Sequence, residues 1–141
     1  GIVAIDNSKA TNPHAADSAL AGHDSVIWVA GGQLKGAEVD DLIARHAHRL
    51  KAVALMGVDR NIIRESVEKH APGVPIFVTD DTDPQSAMDA VCAWAVTQAS
   101  SGDAIVLAPA AASLDMYTGM GQRGVLFAES VSAHLGGVAP K

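Results

Sequence analysis

The chain has 141 residues, 48% of them hydrophobic, which is the length and composition of one domain spanning residues 1–141 around a single core. Its net charge of −6 and pI near 5.3 exclude the concentrated basic surface that a nucleic-acid partner requires. No apolar run approaches the roughly 18 residues of a membrane span, and no charged segment precedes a long apolar stretch at the N-terminus, so a soluble, cytoplasmic chain without a membrane partner is expected.

The elements alternate from one end to the other. "IVAI" (Ile2 to Ile5) reads as a strand, followed by a helix from Pro13 to about Gly22 with proline at its start and glycine at its end. "SVIWVAGG" is the second strand and "GAEVDDLIARHAHRL" the second helix, with Val39, Leu42, Ile43 and Ala47 on one face. "KAVALMG" and "RNIIRESVEKHAPG" repeat the unit, as do "VPIFVTD" and "DPQSAMDAVCAWAVTQAS". "DAIVLAPA" and a helix from about Gln122 to Leu135 close the chain. Strands buried on both faces, each feeding a helix, predict an α/β, Rossmann-like fold: a mainly parallel sheet of about six strands, five of them identified here, with helices on both faces. In such sheets ligands bind beyond the carboxyl ends of the strands, so the loops that follow the strands are the places to search.

The single cysteine, Cys92, allows no intrachain disulfide, and its apolar surroundings at helical spacing predict a packed side chain. His46 and His48 are two residues apart, a spacing that sends them to different helix faces and suits no metal pair. "TDDTDP" (Thr79 to Pro84) reads as capping residues ahead of a proline-started helix.

Three loops carry denser chemistry. "DNSKATNP" (Asp6 to Pro13) holds a carboxylate, two amides, two hydroxyls and an ammonium, whereas capping by Thr11 or Asn12 needs one side chain. "GGQLKG" (Gly31 to Gly36) presents Lys35 among glycines but lacks the spacing and the Ser or Thr of a phosphate loop. "APAAASLDMYTGMGQRG" follows the fifth strand, with Ser113 and Asp115 placed where a helix start would expose free N–H groups. Within it, "GMGQRG" (Gly119 to Gly124) has the form G-x-G-x-x-G but lies about ten residues after the strand, too late for a dinucleotide fingerprint. Two lysines, several hydroxyls and helix N-termini around one sheet edge suit a small polyanion, a dicarboxylate or a phosphate. No nucleophile–base pair and no ATP-cradling loop is recognisable, so the chain reads as half of a site without catalytic residues of its own.

In order and spacing, "DNSKATNP", "GGQLKG" and "LAPAAASLDMYTGMGQRG" resemble the C-terminal domain of the Mur ligases, in particular the branch that adds D-glutamate, over essentially all 141 residues. That pattern reads approximately D-[DN]-S-K-A-T-N, G-G-x-x-K-G and S-P-A-x-A-S-[LF]-D-x-F…RG. The resemblance implies a longer enzyme of peptidoglycan precursor synthesis. Further domains of that enzyme would hold the UDP-sugar and, on a phosphate loop, ATP and Mg2+. It would activate the carboxylate of UDP-MurNAc-L-alanine as an acyl phosphate, and the D-glutamate amine would then attack.

By the same resemblance, Lys35 and Thr11 would bind one D-glutamate carboxylate, and Ser113 with the backbone N–H of Met120 the other. Asp6 would hold the ATP ribose, with Lys9 and Asn12 toward the phosphates, and no metal ligand falls in this stretch. Gln33, Met116 or Tyr117, and Met120 depart from the Asp and Phe residues frequent in the pattern, and an arginine that helps hold the nucleotide falls before Gly1. No cofactor is therefore expected to bind tightly to this stretch alone, and a monomer is expected. The competing readings are a free-standing nucleotide-binding module without ligase activity and a packing domain whose loops are only caps.

Overall fold

A computed structural model describes residues 1–137 and 140–141. Five strands and five helices alternate: β1 (Val3–Asp6), α1 (Pro13–Ala21), β2 (Val26–Gly31), α2 (Asp40–His46), β3 (Leu50–Met56), α3 (Arg60–His70), β4 (Ile76–Val78), α4 (Pro84–Gln98), β5 (Ala104–Leu107) and α5 (Met120–His134). All five strands lie in one parallel sheet in the order β1-β5-β2-β3-β4, so the sheet numbers five strands among the described residues.

The β-branched runs of the central strands serve two cores at once. Val26, Trp28 and Ala30 of β2, with Val53 and Leu55 of β3 and Val106 of β5, face Leu20 of α1, Ile43 of α2, and Ile63 and Val67 of α3. The alternate residues Ile27, Val29, Ala52, Ala54, Ile105 and Leu107 face Met88, Val91 and Cys92 of α4 and Phe127 and Val131 of α5. A strand whose residues are apolar at both parities can be covered on both sides, which is why these runs do not alternate with polar residues. Cys92 sits in the second core, and burial pushes its thiol up to about 12, as its apolar spacing predicts.

The second helix is shorter than the sequence pattern suggests. Lys35 (φ 54°) and Gly36 (φ 81°) are left-handed, and the N–H of Ala37 turns back to the carbonyl of Leu34 at 3.0 Å, so no helix runs through 35–37. Val39 becomes the residue before the helix, and the apolar spacing from Leu42 onward is realised only as far as His46. The last helix starts two residues earlier than expected, at Met120.

The connections leaving β1, β2 and β3 place α1, α2 and α3 on one face; those around β5 place α4 and α5 on the other. The reversal of direction falls where β5 adjoins β2 and β1, and a crevice forms at the carboxyl ends of strands at such a point. The three polar loops singled out from the sequence all leave these strands.

Candidate functional site

The loop after β2 is pinned along nearly its whole backbone. The N–H of Gly31 donates to the carbonyl of Pro109 at 3.0 Å. Gln33 and Ala112 exchange both backbone hydrogen bonds, at 2.9 and 2.8 Å, as an isolated antiparallel bridge between the β2 and β5 loops. The carbonyl of Gly32 accepts from the N–H of Asp59 at 3.0 Å, and the N–H of Leu34 donates to the Asp59 carboxylate at 2.7 Å. Glycine is required in this packing: a Cβ on Gly31 would stand 1.8 Å from the Met56 carbonyl oxygen, and one on Gly32 2.2 Å from that of Ala112.

Lys35 follows at once, exposed, with its ammonium in no ion pair among the described residues. A left-handed lysine is strained by about 1–3 kcal/mol and persists only where its surroundings fix it. The bridge at Gln33 and the contacts of Asp59 are those surroundings.

Arg123 underlies the same two loops. It is wholly buried on α5 and donates through Nη1 to the Gly31 carbonyl at 3.2 Å and through Nη2 to the Ala111 carbonyl at 2.9 Å. Burial pulls its pKa down to about 10, which still leaves the guanidinium charged at neutral pH. Sequence reasoning passed over this residue because it lies within the rejected glycine motif. The signal for it was positional: Arg123, Phe127 and Val131 recur every four residues, so a guanidinium occupies the apolar stripe of α5.

The β5 loop is a series of turns, not a helix start. Ser113 offers its carbonyl to the N–H groups of Met116 and Tyr117 at 3.2 and 2.8 Å, which corrects the expectation that Ser113 and Asp115 head a helix. The rigid small-residue run up to Ala112 spends its backbone on neighbouring loops, so helical bonding begins only at Met120. Asp115 accepts from the N–H of Val58 at 2.9 Å and thereby ties this loop to the one after β3. Tyr117 donates its hydroxyl to the Pro84 carbonyl at 3.1 Å, anchoring the loop to the start of α4. Ser113 is buried, and it is its carbonyl that makes the hydrogen bonds of this turn.

In the loop after β1, the Asp6 carboxylate accepts from the N–H of Ser8 at 3.1 Å, while Lys9 is exposed. Asn12 caps α1, its side-chain oxygen accepting from the N–H of Ala15 at 2.9 Å, with Pro13 at the first helical position. Of the two cap candidates, Asn12 and not Thr11 is therefore the one used. The carbonyl of Ala10, next to Thr11, accepts from the N–H of Ala110 at 2.9 Å. Gly124 of α5 closes the far side, where a Cβ would meet the Ser8 hydroxyl at 2.5 Å.

These bonds join the 110–113 segment to Ala10, next to Thr11, to Gln33, two residues before Lys35, and to Arg123, in the helical turn after Met120. Met120 is exposed, and its N–H lies in the first helical turn, where no intrahelical acceptor exists. "GMGQRG" forms the first turns of α5, with Gly119 at the cap and Gly121 and Gly124 inside the helix, so it makes no phosphate-cradling turn. Among the described residues no group of three His, Cys, Asp or Glu side chains is placed to hold a metal ion, and no helix is long and apolar enough to cross a membrane. His46, buried against Asp17 at 2.6 Å, and His48, exposed, do not come together as a pair.

No family model matches the chain. Among curated proteins it is similar to the UDP-N-acetylmuramoylalanine–D-glutamate ligases of Corynebacterium diphtheriae (70% identical over 134 residues, 95% of this chain), Corynebacterium efficiens (58% over 141 residues, 100% of this chain) and Streptomyces avermitilis (49% over 131 residues, 93% of this chain). The chain spans only 28%, 30% and 28% of those three proteins.

Proposed function

We propose that this chain, which belongs to the UDP-N-acetylmuramoylalanine–D-glutamate ligase family, is the C-terminal, amino-acid-binding domain of such a ligase, acting on UDP-MurNAc-L-alanine, D-glutamate and ATP. The observation that carries the reading is the pinned β2 loop, which holds the exposed Lys35 two residues beyond the Gln33–Ala112 bridge, with Ser113 next to Ala112 on the other side of it. Lys35 and Thr11 take one carboxylate of D-glutamate; Ser113 and the N–H of Met120 take the other. A dicarboxylate is matched at two points by charge-assisted and helix-terminus hydrogen bonds, and its amine is left free for the acyl group.

ATP meets this domain at its sugar end, with Asp6 at the ribose and Lys9 and Asn12 toward the phosphates. Asp6 and Lys9 are exposed at the end of β1, which suits that role, whereas the capping oxygen of Asn12 is already in use and only its amide N–H groups remain to donate. The residues here do not fit Mg2+, and no step is assigned to the metal on this chain. Chemistry at the phosphates belongs to the remainder of a longer protein.

The test is Lys35→Ala in a complete ligase carrying this domain. Loss of one charge-assisted contact raises the KM for D-glutamate by about ten- to a hundredfold and leaves that for ATP within about twofold. Equal rises for the two substrates would remove Lys35 from the amino-acid site.

A further inference from the structure

We propose that Asp59 is a positioning residue for Lys35, an inference that rests on the reading of Lys35 as a D-glutamate ligand. Asp59 stands immediately before α3, where an aspartate ordinarily caps its own helix, yet its side chain makes no capping hydrogen bond there. The carboxylate instead crosses to the β2 loop and accepts from the N–H of Leu34 at 2.7 Å, while its own N–H donates to the carbonyl of Gly32 at 3.0 Å. One residue of the β3 loop thus grips the peptide groups on both sides of Gln33, and Gln33 itself is held from the opposite side by Ala112.

Lys35 is the next residue after Leu34, and its φ of 54° is one that a lysine leaves unless its neighbours forbid it. The Leu34 peptide is the last firmly fixed unit before it: among the described residues the following turn is closed by the single bond from Ala37 to Leu34 at 3.0 Å. Asp59 therefore sets where the exposed ammonium stands relative to Ser113 across the bridge. It touches no ligand itself. Without its carboxylate the loop spends part of its time in other conformations, and the apparent affinity for a ligand of Lys35 falls in proportion to the fraction still competent.

The experiment uses the complete ligase. In Asp59→Ser the hydroxyl still suits the start of α3 but is too short to reach Leu34; in Asp59→Asn the amide oxygen still accepts from it. With Asp59→Ser the KM for D-glutamate is expected to rise about tenfold, with kcat and the KM for ATP within about twofold. Hydrogen exchange in the peptide covering residues 31–37 is expected to accelerate. Asp59→Asn is expected to restore the KM for D-glutamate to within about threefold of the unmutated enzyme. Lys35→Ala is measured alongside. If Lys35→Ala raises the KM for D-glutamate and Asp59→Ser does not, the positioning role is wrong while the ligand reading stands. If Lys35→Ala leaves that KM unmoved, the ligand reading falls and takes the inference with it. Equal rises for D-glutamate and ATP in Asp59→Ser, or an Asp59→Asn as impaired as Asp59→Ser, would also overturn it.

Discussion

Lys51 and Asp103 meet at 2.6 Å at the amino-terminal edge of the sheet, the edge opposite the candidate site. The Asp103 carboxylate also accepts from the Ser25 hydroxyl and the Ser100 N–H, both at 2.7 Å, so one buried group ties β3 and β5 to the segments leading into β2 and β5.

Burial opposes the charge on Asp103, but Lys51, the Ser100 N–H and the Ser25 hydroxyl outweigh it and hold the carboxyl below the usual carboxylate range. A carboxyl depressed by folding contributes stability that is present above its unfolded pKa of about 4 and is lost as pH falls through its folded value. Asp103→Asn is expected to cost about 1–3 kcal/mol at pH 7, with the gap to the unmutated chain narrowing below about pH 4. Urea denaturation at the two pH values measures it. A gap that stays constant would mean that Asp103 carries no pH-dependent stability.

The glycines of the β2 loop differ in what surrounds them. Gly31→Ala is expected to destabilise by about 3 kcal/mol or more, since the new methyl would run into the Met56 carbonyl at φ 126°. Gly36→Ala, with nothing within 4 Å and φ 81°, is expected to cost only the conformational strain of about 1–2 kcal/mol. Thermal melts of both variants give the order, and the reverse order would contradict the packing described for Gly31.

Asn12 bears two roles that substitution can separate. Asn12→Ala is expected to lose about 0.5–2 kcal/mol of stability, and Asn12→Ser to recover most of it, because serine caps as well as asparagine. If the amide also faces the nucleotide, Asn12→Ser in the complete ligase restores the melting temperature but not the KM for ATP. Recovery of both would make Asn12 a cap alone.

Ser113→Ala is expected to change the melting temperature of the free protein little, since the turn is made by its backbone carbonyl, which alanine keeps. It should instead shrink the rise in melting temperature that D-glutamate produces in the complete ligase with the UDP-substrate and a non-hydrolysable nucleotide present. An undiminished rise would take Ser113 out of the site.

What was legible in the sequence follows from how each signal is encoded. Strand and helix order can be read from apolar runs and proline starts because each is local, and Trp28, Val53 and Val106 needed only their neighbours to be placed in strands. The polar loops stood out because Asp6 to Asn12 hold more hydrogen-bonding groups than a turn requires. Contacts made across the sheet left no such trace. Nothing beside Asp59 in the chain announces that its carboxylate belongs to Leu34, 25 residues earlier, and nothing beside Asp115 announces that its carboxylate accepts from Val58. Lys35 and Gly36 delayed the start of the second helix through backbone angles that its apolar spacing could not reveal.

The strand order β1-β5-β2-β3-β4 also dictates an order of assembly. β2, β3 and β4 are neighbours in both chain and sheet and can pair as they emerge, whereas β1, among the described residues, has β5 as its strand neighbour and so waits until residues 104–107 have been made. The loop from Asp6 to Asn12, first to leave the ribosome among the three, must therefore wait for most of the domain before it has a surface to settle on. The candidate site closes only after the fifth strand is inserted, and a chain interrupted before it would hold the loops after β1 and β2 without the β5 loop that joins them.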